Sequence, residues 1–143
     1  MNRIICIGSR LLPEDGAGPS VFELLEARSL PPGVEVLDGG LGGLSLLRAA
    51  EGAGTVVFVD AVAGFGEPGE ALLVPPAEVA AEATPDGHDA GLPSLLAFLP
   101  HACETPPRRV AVVGLEVPWS AASVVRAADL ALAAAAADPE EAA

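Results

Sequence analysis

The chain of 143 residues contains no lysine and no tyrosine, and these absences exclude several kinds of active site. All seven basic residues are arginines. Without lysine, this chain can form neither a Schiff-base nucleophile nor a Walker-type loop that binds phosphate through a lysine. Aromatic residues make up only 3% of the chain, so we expect a core of small aliphatic side chains.

Cysteines and long apolar runs are also scarce. The two cysteines, Cys6 and Cys103, belong to no metal-ligand spacing such as C-x-x-C. No uninterrupted apolar run approaches the roughly 18 residues of a membrane span, because Arg126 and Asp129 interrupt the alanine-rich segment near the C-terminus. The first apolar run gives way to glycine and arginine too soon for a signal peptide. We therefore expect a cytoplasmic protein with no membrane partner.

The chain is strongly acidic, with 20 acidic residues against 7 basic ones and a formal net charge of −13. Such a chain repels phosphate backbones, so we expect no nucleic-acid partner. No G-x-G-x-x-G or G-x-x-x-x-G-K-[ST] motif is present, so we expect no nucleotide cofactor. The acidity serves solubility; a cation site is compatible with it but is not required by it.

Short apolar runs alternate with helical patterns along the chain. Strands are predicted at 3–8, 34–38, 55–60, 70–75 and within 108–118, and helices at 20–27, 44–51, 92–99 and 120–137, with residues 76–91 irregular. The fourth strand follows the third after a short turn that leaves no room for a crossover helix, so it should be antiparallel and at an edge. The pattern predicts a three-layer α/β/α sandwich around a mixed, mostly parallel five-stranded sheet with one antiparallel edge strand. We expect a single domain over residues 1–143, with a frayed tail at 138–143.

Acidic residues stand where ligands bind in such sheets, beyond the carboxyl ends of the strands. Asp15 lies in the loop after the first strand, Asp38 ends the second and Asp60 ends the third. Converging carboxylates raise each other's pKa unless a cation lies among them. His88, in a loop before a helix, adds an imidazole, and two carboxylates with an imidazole suit a divalent transition metal. Aspartates at strand ends are also typical turn and cap residues, and a lone histidine in such a loop is often solvated, so both interpretations stay open.

Glycines follow Asp38 directly, in the stretch GGLGG. Gly39 and Gly40 would let a substrate backbone approach closely. They would equally permit positive φ angles and close packing of a helix.

Taken in order, these stretches resemble the maturation endopeptidases of nickel–iron hydrogenases. That family opens with G-N-x-L-x-x-D-[DE]-G-x-G, and residues 8–18 read GSRLLPEDGAG, with Ser9 and Glu14 as departures from the pattern. The family's D-G-G corresponds to residues 38–40, its apolar strand ending in D-A to VVFVDA at 56–61, and its H-x-x-x-L to residues 88–92. The closing G-x-x-P corresponds to GLEVP at 114–118, where Pro118 stands one position late. The ordered set spans almost the whole chain.

The resemblance implies a small metal-dependent, aspartic-type endopeptidase. Such an enzyme removes the C-terminal extension of a hydrogenase large-subunit precursor after nickel has been loaded. Position by position, the family's metal contacts fall on Asp15, Asp60 and His88, and its further acid linked to activity falls on Asp38. The nickel implied is held by the substrate, and cadmium or zinc would replace it in vitro.

Two alternatives remain at this point. One is a non-catalytic α/β accessory or regulatory domain, in which Asp15, Asp60 and His88 would not converge. The other is a different small α/β hydrolase with an acid-lined site, whose pocket would be too narrow for a protein tail.

Overall fold

Five strands form one sheet in the computed structural model, which describes residues 1–12, 15–83 and 91–136. They are β1 (Asn2–Ile7), β2 (Val34–Gly40), β3 (Thr55–Val62), β4 (Ala71–Val74) and β5 (Arg109–Glu116). Their order is β2-β1-β3-β5-β4. The pairs β1–β2, β1–β3 and β3–β5 are parallel, and β4 runs antiparallel to β5 at one edge. The predicted mixed sheet with an antiparallel edge strand is confirmed.

The helices are α1 (Ala17–Glu26), α2 (Leu47–Ala50), α3 (Pro76–Ala80), α4 (Leu92–Ala102) and α5 (Ala121–Ala136). A 3-10 turn over Leu44–Leu46 precedes α2, so the single helix predicted at 44–51 was wrong in its first turn. No side chain caps that turn, and 3-10 geometry is frequent at such helix starts. Helix α3 was not predicted. It is only five residues long and begins with a proline, which tolerates the first helical position.

The sheet separates two aliphatic cores because successive side chains of a strand point to opposite faces. Helices α1 and α5 cover the face that carries Cys6, Val57 and Val59. Helices α3 and α4 cover the face that carries Val56 and Phe58. This arrangement is the predicted three-layer sandwich. Burying each of these valine and phenylalanine side chains stabilises the fold by roughly 1.5–3 kcal/mol.

Two glycines let α1 begin directly against the end of β1. A Cβ atom on Gly18 would overlap the backbone of Ile7. A Cβ atom on Gly8, whose φ is +151°, would overlap the carbonyl oxygen of Asp15 and lie 2.8 Å from the ring of Pro19. Glycine at both positions therefore brings the loop that carries Asp15 over the carboxyl edge of the sheet.

Two expectations concern the ends and surfaces of the chain. The tail predicted at 138–143 lies outside the described residues. Among the helices of the described ranges, none is both long enough and apolar enough to cross a membrane.

Candidate active site

Asp60 lies near the end of the central strand β3 and beside a hollow in the surface. Its backbone neighbour Ala61 donates an N–H to Asp60 Oδ1 at 2.8 Å. Burial, and secondly the charge of Asp15, raise the pKa of the Asp60 carboxyl from its ordinary 3.8 to about 7, and the hydrogen bond from Ala61 only partly opposes them. Asp60 therefore changes its charge near neutral pH, which an ordinary surface aspartate does not do.

Asp15 lies in the loop between β1 and α1, close enough to Asp60 for the two charges to interact. The backbone N–H of Ser9 donates to Asp15 Oδ2 at 2.9 Å and to the Asp15 carbonyl oxygen at 3.1 Å. The N–H of Asp15 donates in turn to the carbonyl oxygen of Leu12 at 2.9 Å. These bonds fix the carboxylate within its loop. Of the residues predicted to contact a metal, Asp15 and Asp60 thus lie at the same edge of the sheet, and the charge of Asp15 acts on the carboxyl of Asp60.

Asp38 lies on the edge strand β2, and its carboxylate has two partners. Oδ1 accepts the N–H of Gly40 at 3.0 Å, and Oδ2 accepts Nη2 of Arg10 at 3.1 Å. Arg10 Nη1 also donates to Oε1 of Glu23 on α1 at 3.0 Å. The side chain of Asp38 is 36% exposed. Sequence reasoning did not find Arg10, although it is the one basic residue in the first loop motif.

Asp38 and Asp60 share one edge of the sheet but belong to opposite faces. In the register of the sheet, Asp38 on β2 stands beside Cys6 on β1, and Cys6 stands beside Val59 on β3. Cys6 and Val59 both face α1 and α5, so Asp38 belongs to that face. Asp60 follows Val59 and therefore belongs to the other face. The three acids meet at one edge as expected, yet Asp38 is separated from Asp60 by strand β1, and its catalytic role stays a prediction.

The glycines after Asp38 differ from each other. Gly40 has a φ of +56° and open space around its missing side chain. A Cβ atom on Gly39 would lie 2.8 Å from Cγ2 of Ile5 and 3.0 Å from Cδ1 of Leu46. Gly39 is thus required for packing beneath the loop, and Gly40 for the turn itself. Their predicted contact with substrate stays a prediction.

A hollow of about 300 Å³ opens beside Asp60. Its wall is mostly apolar, with a second carboxylate from Glu82, which follows α3. Sequence reasoning missed Glu82 because residues 76–91 were expected to be irregular. The remaining signal was the pair Pro75 and Pro76, the second of which begins P-A-E-V-A, since proline is common in a first helical turn. The lining residues are Asp60, Ala61, Val62, Ala63, Phe65, Val79, Glu82, Leu92 and Pro93.

The third predicted metal contact, His88, lies outside the described residues. Within residues 1–12, 15–83 and 91–136, no group of three histidine, cysteine, aspartate or glutamate side chains is placed to hold a metal ion. Asp15 and Asp60 supply two hard oxygen donors, which fit a divalent cation as part of a mixed oxygen and nitrogen set. The metal site therefore stays a prediction that depends on His88.

Neither cysteine has the properties of a nucleophile. Burial, and secondly the charge of Asp38, raise the pKa of the Cys6 thiol to about 12, so Cys6 stays a neutral core residue. The pKa of the Cys103 thiol is also raised, by burial and then by the charge of Glu51. Since the thiolate is the reactive form, these raised pKa values disfavour either cysteine as a nucleophile.

A buried carboxylate holds the turn that forms one wall of the hollow. Glu116, at the end of β5, is 5% exposed. Its Oε1 accepts the N–H groups of Phe65 at 2.7 Å and Gly66 at 2.8 Å, and its Oε2 accepts the N–H of Gly64 at 2.8 Å. Burial alone would raise the pKa of Glu116, but these three N–H groups lower it below its ordinary 4.5. The ionised carboxylate thus holds Phe65 in place beside Asp60.

Comparison with known proteins decides the family. The family model HycI, described as hydrogenase maturation protease, matches residues 19–125. The chain is 31% identical over 116 residues to the hydrogenase 2 maturation protease of Escherichia coli, an alignment that covers 78% of this chain and 70% of that one. The chain belongs to the hydrogenase maturation protease family.

Solved structures of this family share the fold. The maturating endopeptidase HybD from Escherichia coli is 27% identical, with a TM-score of 0.75 over 93% of this chain and 90% of that one. A hydrogenase 2 maturation peptidase from a Thaumarchaeota archaeon is 28% identical, with a TM-score of 0.63 over 93% of this chain and 96% of that one. The resemblance inferred from the motifs is confirmed. As a hydrogenase maturation protease the chain is a peptidase, and the alternative of a non-catalytic accessory domain is not favoured.

Proposed function

We propose that this chain removes the C-terminal extension from a nickel-loaded hydrogenase large-subunit precursor. Family membership supports the substrate class, since the matching relative is a hydrogenase 2 maturation protease. The observation that supports a site for this function is the interaction between the charges of Asp15 and Asp60 at the carboxyl edge of the sheet, where Asp60 lines an open hollow. The proposal includes the cytoplasmic location expected from the sequence.

The nickel in this proposal belongs to the substrate. Asp15, Asp60 and His88 contact it, and the enzyme uses the contact to select precursors that are already loaded. A site with three protein ligands and weak oxygen donors senses a substrate-held ion without removing it. Cadmium or zinc would fill the same ligand set in vitro. This makes the enzyme metal-dependent even though it keeps no ion of its own.

Asp38 is proposed as the general base of an aspartic-type hydrolysis. The carboxylate would take a proton from the attacking water as the water oxygen bonds to the scissile carbonyl carbon. It would then return that proton to the leaving amide nitrogen as the C–N bond breaks. Arg10 and the N–H of Gly40 hold the carboxylate in one orientation before substrate arrives. Gly40 has open space where a side chain would stand, so an extended tail can lie against the backbone of Gly39 and Gly40.

A cleavage assay tests the proposal. Purified precursor, with and without nickel, is incubated with the enzyme and analysed by mobility shift and by mass of the released peptide. Only the loaded precursor should be shortened. Asp60→Ala should abolish cleavage. Asp129→Ala, which removes an exposed acid on α5 that is paired with Arg28, should leave cleavage unchanged. A wild-type enzyme that leaves the loaded precursor intact would refute the function.

The ligand set is tested separately by calorimetric titration of the isolated protein with cadmium, zinc or nickel. We expect weak binding that the double variant Asp60→Ala/His88→Ala abolishes, with little loss of stability. Unchanged titration in the double variant would remove these two residues from the proposed metal contacts.

A further inference from the structure

Exposed leucines are concentrated on two loops beside Asp38. Eight large hydrophobic side chains are exposed within the described residues, and four of them lie after β1 or after β2. Leu11 is 89% exposed and Leu41 is 72% exposed, the two highest values of the set, and Leu12 and Leu44 are at least half exposed. Single exposed leucines need no explanation, but four on neighbouring loops indicate an interaction site.

The two loops are joined to each other. Strands β1 and β2 are parallel neighbours, so their carboxyl ends lie side by side. The N–H of Gly8 donates to the carbonyl oxygen of Gly40 at 2.7 Å, and Arg10 pairs with Asp38 at 3.1 Å. Leu11 and Leu12 on one loop and Leu41 and Leu44 on the other therefore flank Asp38. We name these four leucines the leucine surface.

A negatively charged hollow adjoins the leucine surface at Arg10. It has a volume of about 350 Å³ and is lined by Arg10, Phe22, Glu23, Glu26 and Ala27. The guanidinium of Arg10 is already bonded to Glu23 and to Asp38. Glu26 forms no salt bridge within the described part of the chain. The hollow is thus lined by two carboxylates and one guanidinium whose charge is already shared with Glu23 and Asp38, and it favours a positively charged guest.

We propose that the leucine surface docks an apolar segment of the precursor that also carries a basic side chain, with the basic group entering the hollow beside Glu26. The inference rests on the proposed function, and it adds the chemistry by which the precursor is held. The apolar side chains of this precursor segment cover the four leucines, and the neighbouring part of the precursor then lies beside Asp38. A second copy of this chain is a poor occupant, because two chains of net charge −13 repel each other.

Steady-state cleavage of the nickel-loaded precursor tests the docking. The double variant Leu11→Ser/Leu41→Ser should raise KM at least about tenfold and leave kcat nearly unchanged, because the lost contacts hold substrate but do not touch the scissile bond. The matched control Leu73→Ser/Val125→Ser changes two side chains that are 52% and 46% exposed elsewhere and should leave both constants unchanged. Circular dichroism melts verify that both double variants are folded.

The charge of the hollow is tested with Glu26→Gln. We expect a several-fold higher KM at low salt and a weaker dependence of KM on ionic strength than in the wild type.

Each outcome bears on a different statement. If the wild type does not cleave, the proposed function fails and this inference falls with it. If the wild type cleaves and the leucine variant has an unchanged KM, the docking inference alone is overturned. The docking inference is also overturned if the leucine and control variants lose activity equally. It is overturned as well if light scattering shows a wild-type dimer that Leu11→Ser/Leu41→Ser dissociates, since a second copy of the chain would then occupy the leucine surface.

Discussion

Replacing Glu116 by glutamine should destabilise the protein through one identifiable contact. The carboxylate satisfies the backbone N–H groups of Gly64, Phe65 and Gly66 with its two oxygens. A glutamine offers only one oxygen. If that oxygen still accepts the N–H groups of Phe65 and Gly66, the amide nitrogen faces the N–H of Gly64. Two hydrogen-bond donors then face each other and no bond forms between them.

The magnitude follows from those bonds. A hydrogen bond to a charged acceptor contributes about 1.5–3 kcal/mol, and a buried N–H left without a partner costs about 1–3 kcal/mol. Losing one of three bonds together with the charge should therefore lower the free energy of unfolding by about 2–3 kcal/mol. For a chain of this size the corresponding fall in Tm is roughly 6–12 °C. Glu70→Gln is the matched control, because Glu70 is exposed and accepts a single backbone N–H, and its effect should stay within about 0.5 kcal/mol.

The pH dependence gives a second and independent check. The pKa of Glu116 is lowered in the folded protein, so its contribution is fully present above the ordinary value of 4.5 and is lost as the pH falls through the folded pKa. Urea unfolding of the wild type and Glu116→Gln should differ by a constant amount above about pH 5.5 and should converge in more acidic buffer. A difference below about 0.5 kcal/mol at pH 7, or one that persists unchanged in acid, would refute the reasoning.

Three further changes give sharp expectations. Asp60→Asn should stabilise the protein at pH 8 by up to roughly 4 kcal/mol. The reason is that folding raises the pKa of the Asp60 carboxyl from 3.8 to about 7, so the wild type loses stability as the pH rises between these values. Urea unfolding should show that the gain in stability vanishes near pH 4. Gly18→Ala should lower stability by about 3 kcal/mol, because its Cβ atom would overlap the backbone of Ile7, and a thermal melt unchanged from the wild type would contradict the packing of α1 on β1. Asp38→Asn should cut turnover about 10²–10⁴-fold while a pull-down of the loaded precursor is retained, and full activity would leave Asp38 as a turn residue.

Much of the fold was predictable because its strands are short, apolar and rich in β-branched residues. The short length and the β-branched and aromatic residues of a run such as VVFVDA predict a buried strand, and a short turn before β4 forces the antiparallel direction. Helix α3 escaped because five residues are too few for a 3.6-residue period to be recognised.

The site was predictable only in part, because its details depend on register and loop shape. Strand ends place Asp38 and Asp60 at the same edge, but only the pairing of Cys6 with Asp38 and with Val59 shows that the two acids belong to opposite faces. The bond from Arg10 to Asp38 depends on how a long side chain folds back from a loop, which spacing does not encode. Glu116 falls in a strand in the sequence, and its three partners come from a turn some 50 positions away.

The strand order also sets the shape of any chain that Asp38 and Asp60 contact together. Strands β2 and β3 both flank β1, so the two acids are separated by two strand spacings, or about 10 Å. An extended backbone covers that distance in three residues at about 3.3 Å each. Three residues of helix would cover only about 4.5 Å. A precursor tail contacted by both acids would therefore span them with about three residues if it is extended and with about seven if it is helical.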